Sequence, residues 1–120
     1  MEEKRRFVRL EWPVVVYYKT LEEPCTEDQI VSSNISEGGV CFIVYERLPK
    51  ETNLSIELQV PFDSMPIFVK GKVVWVKKVG EPHTRTFEVG VKFIEIEPKD
   101  QKRFMTYINN EIKERKLRPE

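Results

Sequence analysis

Two short stretches of the 120-residue chain hold the side chains best suited to gripping a ligand. The first, Lys4-Arg5-Arg6-Phe7-Val8-Arg9, gathers three arginines within five residues. A guanidinium is permanently charged, forks onto phosphate oxygens, grips the O6 and N7 edge of a guanine and stacks on a flat ring, whereas lysine offers only a point charge. The second, Asn34-Ile35-Ser36-Glu37-Gly38-Gly39, supplies an amide, a hydroxyl, backbone N–H groups and a surface free of side chains. Together these suit close hydrogen bonding to a flat polar ligand. A plainer reading stands beside each. Arginines ahead of a first strand describe a basic tail, and Asn, Ser and paired glycines at positive φ describe a tight connection between strands.

Signs of catalysis are missing. There is no GxGxxG, no GxxxxGK followed by Ser or Thr, no HExxH and no GxSxG. His83 is the sole histidine and sits in a proline-containing connection, where a solvated side chain is expected rather than a base or a metal ligand. Ser36 has no histidine near it in sequence to activate it as a nucleophile. The twenty acidic residues read as a solubilising surface, so no catalytic residue and no metal site is assigned. Cys25 and Cys41 are too few for a disulfide scaffold and too far apart for a CxxC pair, and are read as reduced and structural.

The elements that must position these residues follow from periodicity. Leu54, Ile56, Leu58 and Val60 alternate with Ser55, Glu57 and Gln59, the pattern of a strand with one buried and one wet face. Val40, Phe42 and Val44 alternate with Cys41, Ile43 and Tyr45, giving a strand apolar on both sides and therefore central. Residues 67–79 form a long β-rich run whose Gly71 marks a bulge or bend. Residues 80–86, with Pro82, connect it to a run in which Phe87, Val89, Val91 and Phe93 line one face. Residues 12–19 are expected as the first strand and residues 28–33 as a short second one. After Pro98 the period changes. Asp100 suits a helix start, Phe104, Met105, Ile108 and Ile112 define one stripe, and Lys113, Arg115, Lys116 and Arg118 suit its end, so a helix over about 98–116 packs on the sheet. Six strands and a terminal helix predict an all-β fold, a small six-stranded antiparallel barrel whose closure removes strand edges. If residues 28–33 return antiparallel to residues 12–19, the turn at 34–39 faces the arginine segment, and both converge on one anion.

Composition bounds the class. At 14.3 kDa, with 40% hydrophobic and 33% charged residues, the chain is one ordinary globular domain. No stretch approaches the ~20 apolar residues that cross a bilayer, and no signal-type apolar run follows the basic N-terminus, so the cytoplasm is expected. Net charge is zero, but residues 20–64 carry −7, which argues against binding a nucleic-acid polymer.

Arg5 and Arg9 fit RxxxR, and Asn34, Ser36 and Gly39 fit [D/N]xSxxG; the pair in this order, ahead of a strand-rich core, resembles the PilZ domain family. Gly71-Lys72-Val73-Val74-Trp75-Val76 and Val89-Gly90-Val91-Lys92-Phe93 are similar to that family's closing strands, so the likeness covers nearly the whole chain. The resemblance implies a six-stranded β-barrel that binds the bacterial second messenger cyclic di-GMP, with a basic arm over residues 1–11, the barrel over 12–97 and a helix over 98–117. Carried over by position, Arg5 and Arg9 contact phosphates and guanine faces or edges and Arg6 adds a contact. Asn34 and Ser36 hydrogen-bond a guanine, while Gly38 and Gly39 permit close approach. An arm pinned by ligand would signal to an effector protein, without catalysis. Two rivals remain: a ligand-independent PilZ-like adaptor, and a small nucleic-acid-binding barrel stacking bases on Phe7, Trp12, Tyr17 and Tyr18.

Overall fold

Alternation becomes pairing in a computed structural model that describes residues 14–22, 25–60 and 64–117. Six strands form: β1 (Val15–Thr20), β2 (Glu27–Ser36), β3 (Gly39–Val44), β4 (Asn53–Gln59), β5 (Ile67–Val79) and β6 (Thr86–Ile96), followed by the helix α1 (Pro98–Leu117). Every neighbouring pair is antiparallel, and the ring closes in the order β1-β2-β3-β6-β5-β4. The all-β barrel with a terminal helix is the fold the periodicity predicts.

The inward residues are the apolar members of each alternation. Val16 and Tyr18 of β1, Phe42 and Val44 of β3, Leu54, Ile56 and Leu58 of β4 and Val73 of β5 have essentially no solvent contact. Each such side chain contributes roughly 1.5–3 kcal/mol by leaving water. Tyr18 stacks on Phe42 with centroids 5.5 Å apart, and its hydroxyl donates to Glu46 at 2.8 Å. Burial, then that bond, pushes the Tyr18 pKa up, so the phenol stays a neutral donor.

The helix covers part of this core. Phe104, Tyr107 and Ile108 are buried, and Phe104 meets Phe93 of β6 edge to face at 5.7 Å. Tyr107 widens the stripe expected from Phe104, Met105 and Ile108; the side chain of Ile112 lies outside the described residues. Asp100 does more than suit the helix dipole. It is buried, accepts the Phe68 N–H at 3.3 Å and pairs with Arg103 at 3.0 Å. Arg103 in turn donates to the carbonyls of Met65 and Pro66, so the first turns of α1 are tied to the start of β5.

Three expectations change. The first strand is observed from Val15, with Trp12 and Pro13 outside the described residues. The second strand is not short: β2 continues through Ser36, so Asn34, Ile35 and Ser36 belong to the ladder and only Glu37 and Gly38 make the turn. Cys25 is exposed, so a packing role fits Cys41 alone, which is buried. Gly71 does mark an irregularity, but the extra residue is Ile94 on the opposite strand. Gly71 itself faces inward, where a Cβ would crowd Val91 and Ile56.

Candidate functional site

A bulge decides where Asn34 and Ser36 point. Ile30 packs on the core, Val31 is 54% exposed and Ser32 is buried, so strict alternation would send Asn34 and Ser36 inward and Ile35 outward. Burying an amide and a hydroxyl there would cost more than it returned, while Ile35 would waste its apolar surface. The register instead shifts between Ser32, paired with Phe42, and Asn34, paired with Cys41, leaving Ser33 as the extra residue. Beyond it Ile35 is 1% exposed and its flanking neighbours Asn34 and Ser36 occupy the outer face. A bulge re-aims side chains in this way.

The turn that follows is tied down by its own polar groups. The Gly38 N–H donates to Ser36 Oγ at 3.3 Å, and the Gly38 carbonyl accepts the Phe93 N–H of β6 at 2.9 Å. Positive φ, expected of the two glycines, is not used by either: Gly80 is the one glycine with that geometry among the described residues. Gly39 is needed for another reason. A Cβ on it would collide with the carbonyl oxygen of Val91, so the absence of a side chain lets β3 and β6 close at this point. A shallow groove leads from the turn to the helix, lined by Glu37, Gly38, Phe93, Ile96 and Gln101.

Asn34, Ser36, Gly38 and Gly39 are therefore brought together at the β2–β3 end of the barrel. Arg5, Arg6 and Arg9 lie outside the described residues. The first described residue, Val14, is hydrogen-bonded both ways to Ser32: its N–H donates to Ser32 Oγ at 2.9 Å and its carbonyl accepts the Ser32 N–H at 2.9 Å. The ladder continues as Val15 opposite Val31, the antiparallel return expected from the sequence.

Register carries the same outer face across two further strands. Asn34 pairs with Cys41, Cys41 with Gly90 and Gly90 with Trp75. One step along, Ser36 pairs with Gly39, Gly39 with Lys92 and Lys92 with Lys72. A second bulge, with Val74 as the extra residue, turns Trp75 outward while Val73 and Val76 face the core. The Trp75 indole folds over Gly90, where any Cβ would strike it. Sequence reading placed Trp75 and Lys92 in closing strands without giving them a role; glycine inside the alternation at position 90 was the available sign of a close approach.

His83 is exposed in the β5–β6 connection. Among the described residues no group of three or more His, Cys, Asp or Glu lies close enough to hold a metal ion, and no helix is long and apolar enough to cross a membrane.

Comparison with known proteins gives this arrangement its family. The sequence matches the family model of the PilZ domain over residues 3–110. The chain belongs to the PilZ family. No curated protein sequence matches it. Solved PilZ-type structures share its fold at low identity. The Bacillus subtilis inhibitor of motility MotI/DgrA superposes with a TM-score of 0.73 at 20% identity, covering 98% of this chain and 54% of that one. The K. pneumonia MrkH–c-di-GMP complex gives 0.73 at 16% identity, covering 98% and 55%. The PilZ domain of Escherichia coli YcgR, solved with c-di-GMP, gives 0.63 at 14% identity over 98% of this chain and 100% of that one. This PilZ domain thus spans about half the length of MotI and MrkH.

Proposed function

We propose that this PilZ domain is a cyclic di-GMP receptor, organised as an arginine-bearing arm over residues 1–11, a barrel over 12–97 and a helix over 98–117. The observation that carries the reading is the Ser33 bulge, which sets Asn34 and Ser36 on one outer face beside Gly39. The Val14–Ser32 hydrogen bonds support it further, because the chain reaches the barrel from the arginine segment two residues from Asn34. Similarly folded YcgR and MrkH domains have been solved with this messenger.

In this reading Arg5 and Arg9 take the phosphates and guanine faces or edges, with Arg6 as an added contact. Asn34 and Ser36 hydrogen-bond a guanine edge, and Gly38 and Gly39 leave room for it to approach. Charge-assisted bonds worth roughly 1.5–3 kcal/mol each, less the cost of ordering the arm, give micromolar or tighter binding. No chemistry is done on the ligand. Pinning the arm alters the surface offered to an effector protein in the bacterial cytoplasm, and the groove from the turn to Gln101 joins the site to the helix.

Calorimetric titration with cyclic di-GMP tests the receptor role. Wild-type protein gives saturable heat, and Arg9→Ala loses most of the affinity while keeping its stability within about 1 kcal/mol. Absence of heat from the wild type would overturn the reading in favour of a ligand-independent adaptor. Amide exchange across residues 4–10 slows on ligand addition if the arm is the moving part.

A further inference from the structure

The ring closes through only half of β5. This strand runs for 13 residues, but β4 pairs with it from Ile67 to Lys72 alone. The β3–β4 connection adds one step: the Glu51 N–H donates to the Val73 carbonyl at 2.7 Å, and the Val73 N–H donates to the Thr52 carbonyl at 2.9 Å. From Val74 to Val79 the strand keeps β6 on one side and has no backbone partner on the other among the described residues. Residues of a strand whose side chains share a face direct their N–H and C=O groups to the same side. Val73 and Val76 both face the core across the Val74 bulge, so Val76 repeats the direction of Val73, and Lys78 repeats it again. Their backbone groups therefore line an open strand edge, of the kind that closure was expected to remove. It stands at the far end of the barrel from the motif turn, because β3 meets Lys92 at Gly39 and Phe87 at Val44.

An open edge is a template for one more strand, with affinity from main-chain hydrogen bonds and specificity from alternate side chains. The surroundings set that strand's chemistry. Lys77 is exposed and, although its register partner is Glu88, makes no ion pair among the described residues. Lys50 and Arg85 are exposed near the two ends of the edge. Of the nearby acids, Glu51 is paired with Lys72 at 3.4 Å and Glu81 sits in the β5–β6 connection. Lys78 is held by its own hairpin, its ammonium 5.4 Å from the centre of the Phe87 ring and donating to the Thr84 carbonyl. A second copy is a poor occupant, because the two-fold register that satisfies Val76 and Lys78 together sets Lys77 opposite its own counterpart. We infer that the Val74–Val79 edge docks an extended acidic segment of a partner protein. The segment adds a strand bonded to Val76 and Lys78, with an acidic side chain opposite Lys77 and an apolar one beside Val79. This surface needs nothing from the messenger site.

The probe is a six-residue peptide of alternating valine and glutamate, blocked at both ends and added to the isotope-labelled full chain while amide exchange and chemical shifts are followed. In the free protein the Val76 and Lys78 amides should exchange about 10-fold or more faster than those of Lys77 and Val79, which face β6. Saturating peptide should slow that pair selectively. With a glutamate opposite Lys77, it is the peptide's valine amides that face β5, so methylating the valine nitrogens should abolish binding while methylating the glutamate nitrogens preserves it. Lys77→Glu should weaken the acidic peptide about 5-fold and favour a valine–lysine peptide, at a melting temperature near wild type. Absence of saturable binding, or binding indifferent to valine methylation, overturns the inference. So does protection of Val76 and Lys78 without peptide: if it grows with protein concentration the edge belongs to a second copy, and if it does not the edge is already covered. Cyclic di-GMP enters none of these measurements, so the receptor reading stands or falls separately.

Discussion

Gly39 owes its identity to a neighbour rather than to its own torsions. The Val91 carbonyl occupies the space a side chain would need, so Gly39→Val must push β3 and β6 apart where the motif turn ends. The expected cost is about 3 kcal/mol or more, with loss of messenger binding, measured by urea unfolding and calorimetry. Near-wild-type stability would mean that the strands can separate there without penalty. Tyr18 gives a second prediction, read from pH. Its pKa is raised in the folded chain, so the unfolded chain releases this proton first, near pH 10. The contribution is complete below that pH and is lost as pH rises toward the folded value. Tyr17 adds to the slope through its hydrogen bond to Glu27. Tyr18→Phe should therefore flatten the alkaline loss of stability by one proton's worth, and equal slopes in the two proteins would contradict the assignment.

Period-two alternation made β3 to β6 readable, because one buried face per strand leaves its mark on the residues themselves. The misreading at 34–36 has a definite cause. Asn, Ser and adjacent glycines have the composition of a turn, and only the partner strand reveals that three of them are still paired. A bulge is a property of two strands in register, so the faces of Asn34 and Trp75 could not be read from β2 or β5 alone. Similarly, Asp100 could be placed at a helix start from sequence, but its bonds to Phe68 and Arg103 depend on where the helix docks. Asp100→Ala should remove that docking point and cost about 1–3 kcal/mol, seen as a lower urea midpoint by circular dichroism. An unchanged midpoint would show that the apolar face of α1 holds the helix unaided.

In the molecule as a whole, motif and barrel are one construction. The polar residues stand outward because Ile35, Val73 and Val76 must stand inward, and their face keeps its dimensions because closure fixes the spacing of its strands. That closure has a consequence in time. Two of the seams, β1 with β4 and β3 with β6, join residues roughly 35 to 55 positions apart along the chain. Such distant partners must meet before most of the interior can dry, and chain-entropy losses precede the reward. Refolding from urea should therefore occupy milliseconds to seconds rather than microseconds, checked by stopped-flow fluorescence. Once closed, the ring leaves no strand with a wholly free edge to part on its own, so a barrel that is slow to assemble is also slow to open.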